Sequence, residues 1–251
     1  MLRKPEKSER QATPSPPNGS VVYAVGDIHG RADLLEQLHA RIEEDARARA
    51  VARMVVVYIG DYVDRGPRSR GVIDLLLDRP LMGFESVHLI GNHEDFMLRF
   101  LDDPEVGPIW LANGGDATLA SYGVDFLEPS LRGRDPFTGL QAALRANLPP
   151  RHLDFLRQLR LTHIEGDYLF VHAGIRPEVP LDRQSLEDLL WIRGEFLNSR
   201  VDHGWVVVHG HSITREPDRR ANRIGIDTGA FASGHLTCLV LDGAKIEFLQ
   251  T

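Results

Sequence analysis

Short apolar runs and amphipathic segments alternate along the first hundred residues of the chain. Three apolar runs predict strands, at residues 21–25, 54–59 and 86–90. After them, apolar positions recur every three or four residues, which predicts helices over 32–49, over 72–77 and through Phe96 and Leu101. The runs are apolar throughout, as is typical of strands with both faces buried. This part of the chain therefore predicts a central sheet covered by helices.

The second half of the chain differs in pattern from the first. Residues 102–160 are predicted to be mostly helical, and their role in specificity stays open at this point. Further strands are predicted at residues 168–171, 205–208, 223–226, 236–241 and 246–249, with one helix over 186–191. An α/β fold class follows from the mixture.

Composition narrows the function classes without choosing one. Of the 251 residues 42% are hydrophobic and 26% charged, which is ordinary for a globular protein, and no apolar run is long enough to span a membrane. A formal charge of −7 argues against nucleic acid as a partner. Residues 1–20 are polar and proline-rich, and we expect a disordered tail; its basic residues precede no apolar stretch, so a secretory signal is not expected. We therefore expect a cytoplasmic protein with one buried thiol, Cys238.

Candidate metal ligands follow five of the predicted strands. The five segments are Gly26-Asp27-Ile28-His29-Gly30, Gly60-Asp61-Tyr62-Val63-Asp64-Arg65-Gly66, Gly91-Asn92-His93-Glu94, His172-Ala173-Gly174 and Gly210-His211-Ser212. In open α/β sheets functional groups gather beyond the carboxyl ends of the strands. In an extended segment, Asp27 and His29 would point the same way and both reach one ion.

Each of these segments, taken alone, is weak evidence for a metal site. A lone Asp-x-His pair has roughly a one in ten chance of binding a metal, because an aspartate often caps a turn and a buried histidine is often only a core residue. Five such segments in succession, each closing an apolar strand, are poorly explained as five independent turns. The combination indicates a metal site.

The first three segments together resemble the signature of the calcineurin-like metallophosphoesterases. Within that superfamily they are similar to the phosphoprotein phosphatase branch, which contains Ser/Thr protein phosphatases and symmetrical diadenosine tetraphosphatases. His172-Ala173-Gly174, Trp191-Ile192-Arg193 and Gly210-His211-Ser212 follow in the same order. The resemblance implies an α-β-β-α sandwich over residues 21–251, with a dinuclear metal site at the C-terminal ends of the strands.

The resemblance also implies a set of metal ligands. Asp27 and His29 would bind the first ion, and Asp61 would bridge both. The second ion would be completed by Asn92, His172 and His211. A bridging carboxylate suits two cations about 3.5–4 Å apart. Imidazole and carboxylate ligands suit manganese, which we expect, and also iron, zinc or nickel.

A hydrolytic mechanism is implied as well, in which water activated by the two cations attacks phosphorus in line with the leaving alkoxide. Arg65 and Arg193 would bind the phosphoryl oxygens. His93 would protonate the leaving oxygen, with Asp64 orienting its ring. The alternative reading makes Arg65 a turn residue and Arg193 a surface residue.

Other polar residues are interpreted as structural. His209 lies two residues before His211, but the six ligand positions are already filled, so we interpret it as supporting or structural. The histidines outside the motifs (His39, His88, His152, His163, His203 and His235) are expected at the surface or in packing. Asn113-Gly114-Gly115 resembles a turn at a helix end, with a weak case for facing substrate, and Asp227-Thr228-Gly229 is interpreted as structural support.

Three functions remain open. The first is hydrolysis of phosphoserine or phosphothreonine in proteins, or of a phosphorylated small molecule, favoured because Glu94 follows His93 as in the protein phosphatases. Against a eukaryotic type, Ile90 stands where those enzymes have arginine. The second is symmetrical bis(5'-nucleosyl)-tetraphosphatase activity, which needs the same metals. The third, a silent metal-binding module, ranks last because Arg65, His93 and the ligands are all present. The sequence leaves the oligomeric state open.

Overall fold

Two β-sheets lie face to face in the computed structural model, which describes residues 13–124 and 136–251. In the first sheet, β1 (Ser20–Val25), β2 (Arg53–Tyr58) and β3 (Phe84–His88) are parallel neighbours. The hairpin of β9 (Thr237–Asp242) and β10 (Lys245–Gln250) adds to the free edge of β1, so the strand order is β10-β9-β1-β2-β3. The parallel strands therefore end at one edge of the sheet.

The second sheet repeats this design with shorter strands. It contains β4 (Thr162–Glu165), β5 (Tyr168–Val171), β6 (Val206–His209), β7 (Asp218–Arg219) and β8 (Arg223–Gly225), in the order β4-β5-β6-β8-β7. Strands β5, β6 and β8 are parallel, and β4 and β7 pair antiparallel at the two edges.

Helices cover the outer faces of both sheets. The described helices are α1 (Ala32–Arg47), α2 (Ser69–Asp78), α3 (Asn92–Asp102), α4 (Gly107–Trp110), α5 (Asp116–Ser121), α6 (Pro136–Asn147), α7 (Pro150–Arg157), α8 (Leu186–Trp191), α9 (Gly194–Leu197) and α10 (Ala230–Ser233). Helices α1 to α7 pack with the first sheet, and α8 and α9 with the second. Short 3₁₀ turns occur at Pro104–Val106 and Leu181–Arg183. Residues Leu111–Gly115 connect α4 to α5 through a kink at Gly114, which has a φ of 99°.

Alternation along the central strands accounts for the layers. In β1, Val22 and Ala24 contact the second sheet, while Tyr23 and Val25 contact the helices. Successive side chains of a strand point to opposite faces, so a strand that is apolar throughout needs a covering layer on each side. The predicted α-β-β-α sandwich is confirmed, and Cys238 is fully buried, as expected.

One expectation about the start of the chain needs correction. The predicted tail over residues 1–20 was wrong for its last eight residues: β1 begins at Ser20, and the backbone N–H of Ser15 donates to Asp167 Oδ2 at 3.1 Å. The Asp167 N–H returns a bond to the Ser15 carbonyl at 3.1 Å, so this segment is tied to the second sheet. Residues 1–12 lie outside the described part of the chain.

Strands β4 and β7 were not predicted. β7 has only two residues, and both edge strands exist through pairing with distant neighbours, a signal that local periodicity does not contain. Across residues 13–124 and 136–251, none of the helices is both long and apolar enough to cross a membrane.

Candidate dinuclear metal site

The five predicted segments converge at one edge of the sandwich. Strands β1, β2 and β3 of the first sheet and β5 and β6 of the second lead directly into them. Because these strands are parallel within each sheet, the residues that follow them meet at the same edge. The six predicted ligands are all at least 94% buried; they are Asp27, His29, Asp61, Asn92, His172 and His211.

Asp61 lies at the centre of the site. Its Oδ1 is 3.4 Å from His172 Nε2, and its Oδ2 is 3.4 Å from His29 Nε2. Within the described residues, ligand atoms lie within 4.8 Å of one another in two groups, His29–Asp61–His93 and Asp61–His172–His211. Asp61 is common to both, which is the geometry expected of a carboxylate that bridges two cations.

Backbone conformation produces this crowding. Asp61 and His211 adopt left-handed φ values of 53° and 61°, which turn the chain sharply at the strand ends. Two glycines allow close approach: a Cβ on Gly91 would lie 2.1 Å from Asp61 Oδ1, and one on Gly210 would lie 2.0 Å from Asp27 Oδ1. Any side chain at either glycine would therefore displace a candidate ligand.

In the second group, a backbone carbonyl fixes which ring nitrogen of His172 carries the proton. His172 Nδ1 donates to the Ile59 carbonyl at 2.9 Å, which leaves Nε2 unprotonated. That Nε2 lies 2.8 Å from Asn92 Oδ1 and near Asp61 Oδ1, so three acceptors converge. His211 Nδ1 also lies 2.9 Å from Asn92 Oδ1. A cation satisfies such an arrangement, and the residues present therefore fit a bound metal.

In the first group, His29 is oriented in the same way. Its Nδ1 donates to the Val63 carbonyl at 2.9 Å, which leaves Nε2 free to bind a metal. Burial lowers the pKa of His29 to about 3, so the ring stays neutral. The argument from extended backbone was wrong here, because His29 has a φ of 45°.

Asp27 lies at the side of the site next to His211. Its Oδ2 accepts the His211 backbone N–H at 3.0 Å, and its buried Oδ1 has no hydrogen-bond partner among the described residues. It belongs to neither 4.8 Å group, so its sharing of an ion with His29 stays a prediction. Burial, together with the neighbouring Asp227 and Asp61 carboxylates, raises the pKa of Asp27 well above its usual range. An uncompensated carboxylate oxygen of this kind is a further argument for a cation.

His93 and Asp64 form a buried pair beside the first group. His93 Nδ1 lies 2.7 Å from Asp64 Oδ2, and its Nε2 is 3.9 Å from Asp61 Oδ2. Burial acts to lower the pKa of His93, but the charges of Asp61 and Asp64 outweigh it, and the pKa is raised. The Nε2 atom of His93 therefore faces Asp61, and the role of the pair in proton donation stays a prediction.

Two guanidinium groups approach the site from its open side. Arg65 is partly exposed, and its Nη1 lies 2.9 Å from His29 Nε2. Its Nη2 lies 3.0 Å from His93 Nε2, and its Cζ lies 4.9 Å from the centre of the Phe231 ring. Arg193 is exposed, donates to Ser212 Oγ at 3.3 Å, and helps to lower the pKa of the nearby His172. The positive charge of Arg193 thus acts on His172 and His211, Arg65 contacts His29 and His93, and phosphate binding by the two arginines stays a prediction.

The contacts that Glu94 makes in the site were not predicted from the sequence. Its Oε2 accepts the N–H groups of Asp61 and Gly91 at 2.8 and 2.9 Å. Its Oε1 accepts those of Tyr62 and Val63 at 2.7 and 3.2 Å. The one available signal was the capping-box position of a glutamate at the start of a helix. Glu94 thus ties the loop after β2 to the start of α3.

Three other polar or glycine-containing segments named in the sequence analysis lie at different positions relative to the site. His209 lies outside both ligand groups, and its ring packs edge-on against Phe196 with centroids 5.1 Å apart. Asp227 does more than support a turn, because its carboxylate lies beside Asp27 and raises that residue's pKa. The Gly114 carbonyl accepts the N–H of Arg65 at 3.0 Å, so the predicted turn does reach the site, through its backbone.

The histidines outside the motifs pack or pair away from the site. Tyr58 separates two of them: its hydroxyl lies 2.8 Å from His39 Nε2, and its ring stacks on His88 at 5.0 Å. His152 lies 2.9 Å from the Tyr122 hydroxyl, and His163 lies 3.0 Å from a Glu165 oxygen. His203 packs on Phe196, and His235 lies 2.9 Å from the Thr251 carbonyl.

Comparison with known proteins gives a family match and several relatives. The sequence profile of the calcineurin-like phosphoesterases matches residues 20–235. Serine/threonine-protein phosphatase 1 of Salmonella typhimurium is 29% identical over 229 residues, covering 86% of this chain and 89% of that protein. The symmetrical bis(5'-nucleosyl)-tetraphosphatase of Dechloromonas aromatica is 32% identical over 156 residues, covering 62% of this chain but only 44% of that protein. A crystal structure of a provisionally assigned diadenosine tetraphosphatase aligns with a TM-score of 0.60 at 23% sequence identity, and the alignment covers 95% of this chain and 98% of that one. This similarity supports the fold.

Proposed function

Because the chain belongs to the calcineurin-like phosphoesterase family, we propose that it hydrolyses phosphate monoesters, with phosphoserine and phosphothreonine in proteins as its substrates. The observation that carries the proposal is the position of Asp61, with one carboxylate oxygen 3.4 Å from His29 Nε2 and the other 3.4 Å from His172 Nε2. Two cations bound there would face both arginines and His93.

The proposed ligands are the six buried residues that the sequence predicted, arranged around Asp61. Asp27, His29 and Asp61 would bind one cation, and Asp61, Asn92, His172 and His211 the other. Manganese is the proposed metal, and iron, zinc and nickel suit the same mixture of imidazole, carboxylate and amide oxygen. A pair of such cations supplies Lewis acidity, which activates water and neutralises phosphate charge.

The chain's own residues then bind the substrate and move a proton. Arg65 would leave His29 Nε2 and His93 Nε2 and bind phosphoryl oxygens, together with Arg193. His93 would donate the proton on Nε2 to the leaving oxygen of the serine or threonine. Asp64 accepts the Nδ1–H and so keeps the ring facing the site.

A second function is favoured by one comparison. The relative from Dechloromonas aromatica, at 32% identity, carries the name of a symmetrical bis(5'-nucleosyl)-tetraphosphatase. Dinucleoside tetraphosphate hydrolysis would use the same residues on an anhydride. Its leaving group is a phosphate, which needs less help from His93 than an alkoxide does.

The discriminating experiment compares kcat/KM for a phosphothreonine peptide and for diadenosine tetraphosphate, each with Mn²⁺ and with chelator. We expect the peptide to be the better substrate, and both activities to be lost with chelator. Higher efficiency on the dinucleotide would replace the first function by the second. Activity that survives complete chelation would contradict both.

A further inference from the structure

The helical segment between α3 and α6 contacts the acid pair through two side chains. Trp110, at the end of α4, donates its Nε1–H to Asp64 Oδ2 at 3.0 Å. Thr118, in α5, donates its hydroxyl to Asp64 Oδ1 at 2.6 Å. The Asp64 backbone N–H in turn donates to Thr118 Oγ at 2.8 Å. Trp110 and Thr118 lie 46 and 54 residues from Asp64 in the sequence, so the contacts depend on the tertiary fold.

These contacts fix the plane of the Asp64 carboxylate. Each oxygen has a donor from the helical segment, and the third donor, on Oδ2, is His93 Nδ1 at 2.7 Å. All of these residues are at least 99% buried, so water does not replace a missing partner. A carboxylate with both oxygens fixed holds its remaining partner in one orientation.

Packing alone does not account for the arrangement. The Trp110 ring packs on Phe100 with centroids 4.9 Å apart, and a phenylalanine ring would retain most of that contact. Thr118 could satisfy its hydroxyl within its own helix, as Ser121 does by donating to the Thr118 carbonyl at 2.8 Å. Instead, Thr118 donates across to Asp64.

We propose that Thr118 and Trp110 are positioning residues for proton donation by His93, acting through Asp64. The proposal rests on the proposed role of His93 as the acid in phosphoester hydrolysis. It gives part of the middle of the chain a function: α4 and α5 orient the acid, while the Gly114 carbonyl between them accepts the N–H of Arg65. Removal of either donor should then impair proton transfer more than it impairs substrate binding.

The test is a pair of substitutions measured on two substrates. Thr118→Val keeps the side-chain shape and removes the hydroxyl, and Thr118→Ser restores it. With a phosphothreonine peptide, Thr118→Val should lower kcat about 10-fold, the effect of losing one hydrogen bond to a charged group. With p-nitrophenyl phosphate, whose leaving group needs little protonation, kcat should fall by no more than about 3-fold. KM should stay unchanged on both, and Thr118→Ser should recover most of the peptide activity.

Two further variants make the result decisive. Ser121→Ala removes hydrogen bonds from the same helix without touching Asp64, and it should leave the ratio of the two activities unchanged. Trp110→Phe removes only the second donor and should shift the ratio as Thr118→Val does; it decides the matter alone if Thr118→Val does not fold. The inference is overturned if Thr118→Val or Trp110→Phe loses equal activity on both substrates. It is also overturned if Ser121→Ala loses activity selectively on the peptide.

The proposed function itself is checked by His93→Asn in the same assay. If His93→Asn shows the selective loss on the peptide and neither Trp110→Phe nor Thr118→Val does, the inference fails and the acid role stands. If His93→Asn loses equally on both substrates, the proposed acid role fails first.

Discussion

Replacement of Glu94 by glutamine tests how the loop after β2 is held in place. The Glu94 carboxylate accepts four backbone N–H groups, two on each oxygen. A glutamine amide keeps one of these oxygens and replaces the other by NH₂, which cannot accept. Glu94 is fully buried, so two of the four N–H groups lose their acceptor without access to solvent.

The magnitude follows from that count. Each buried N–H left without an acceptor costs about 1–3 kcal/mol, so two cost about 2–6 kcal/mol. For a chain of this size each kcal/mol lowers Tm by about 2–4 °C, so Glu94→Gln should melt about 10 °C below the wild type. One orientation of the amide leaves the N–H groups of Asp61 and Gly91 without an acceptor, and the other leaves those of Tyr62 and Val63. Either loosens the loop that holds Asp61, so Mn²⁺ affinity should fall about 10–100-fold.

The assay is thermal unfolding of the metal-free protein together with calorimetric Mn²⁺ titration. Glu165→Gln is the matched control. Glu165, in β4 of the second sheet, is also buried, but it accepts from Arg53 at the start of β2 at 2.8 and 2.9 Å, away from Asp61. The control should lower Tm and leave Mn²⁺ affinity unchanged. If Glu94→Gln binds Mn²⁺ as tightly as the wild type, the assigned function of its four contacts is refuted.

Three further predictions follow from the site and the core. Arg65→Lys should lower kcat about 100-fold in steady-state assays, because a lysine cannot bind two phosphoryl oxygens in a planar fork; an unchanged kcat would contradict the role of Arg65. In differential scanning calorimetry, chelation should lower Tm, and readdition of Mn²⁺ should raise it by an amount that grows with metal concentration. A Tm that does not depend on metal concentration would contradict metal binding to the folded state. Burial lowers the pKa of His39 to about 4. Below about pH 6.5 the unfolded chain therefore binds a proton at this residue that the folded chain does not bind, and the free energy of unfolding should fall by roughly 2–3 kcal/mol towards pH 4. Denaturant titrations of His39→Gln should show a shallower pH dependence than the wild type, and an identical one would contradict the assignment.

The parts of the fold that sequence predicts are those with local signals. Strand β5 and helix α8 have the bounds that were predicted, because continuous apolar runs and helical periodicity are properties of neighbouring residues. The segments containing Asp61 and Asn92 could be found for the same reason, since each directly follows such a strand.

Other features depend on contacts between distant residues. Strand β7 consists of Asp218 and Arg219 and exists by pairing with β8. Three of the four N–H groups around Glu94, and the donors from Trp110 and Thr118 to Asp64, join segments 31 to 54 residues apart. The left-handed turn at His29 removed the extended geometry on which the pairing with Asp27 had been argued. These positions are set by the packing of the finished fold.

The central claim is that Asp61 bridges two cations. Crystals grown with Mn²⁺ and measured at the manganese absorption edge test it most directly. We predict two anomalous peaks about 3.5–4 Å apart, one beside each Asp61 oxygen, with His29 at one and His172 at the other. A single peak, or peaks out of reach of Asp61, would contradict the account.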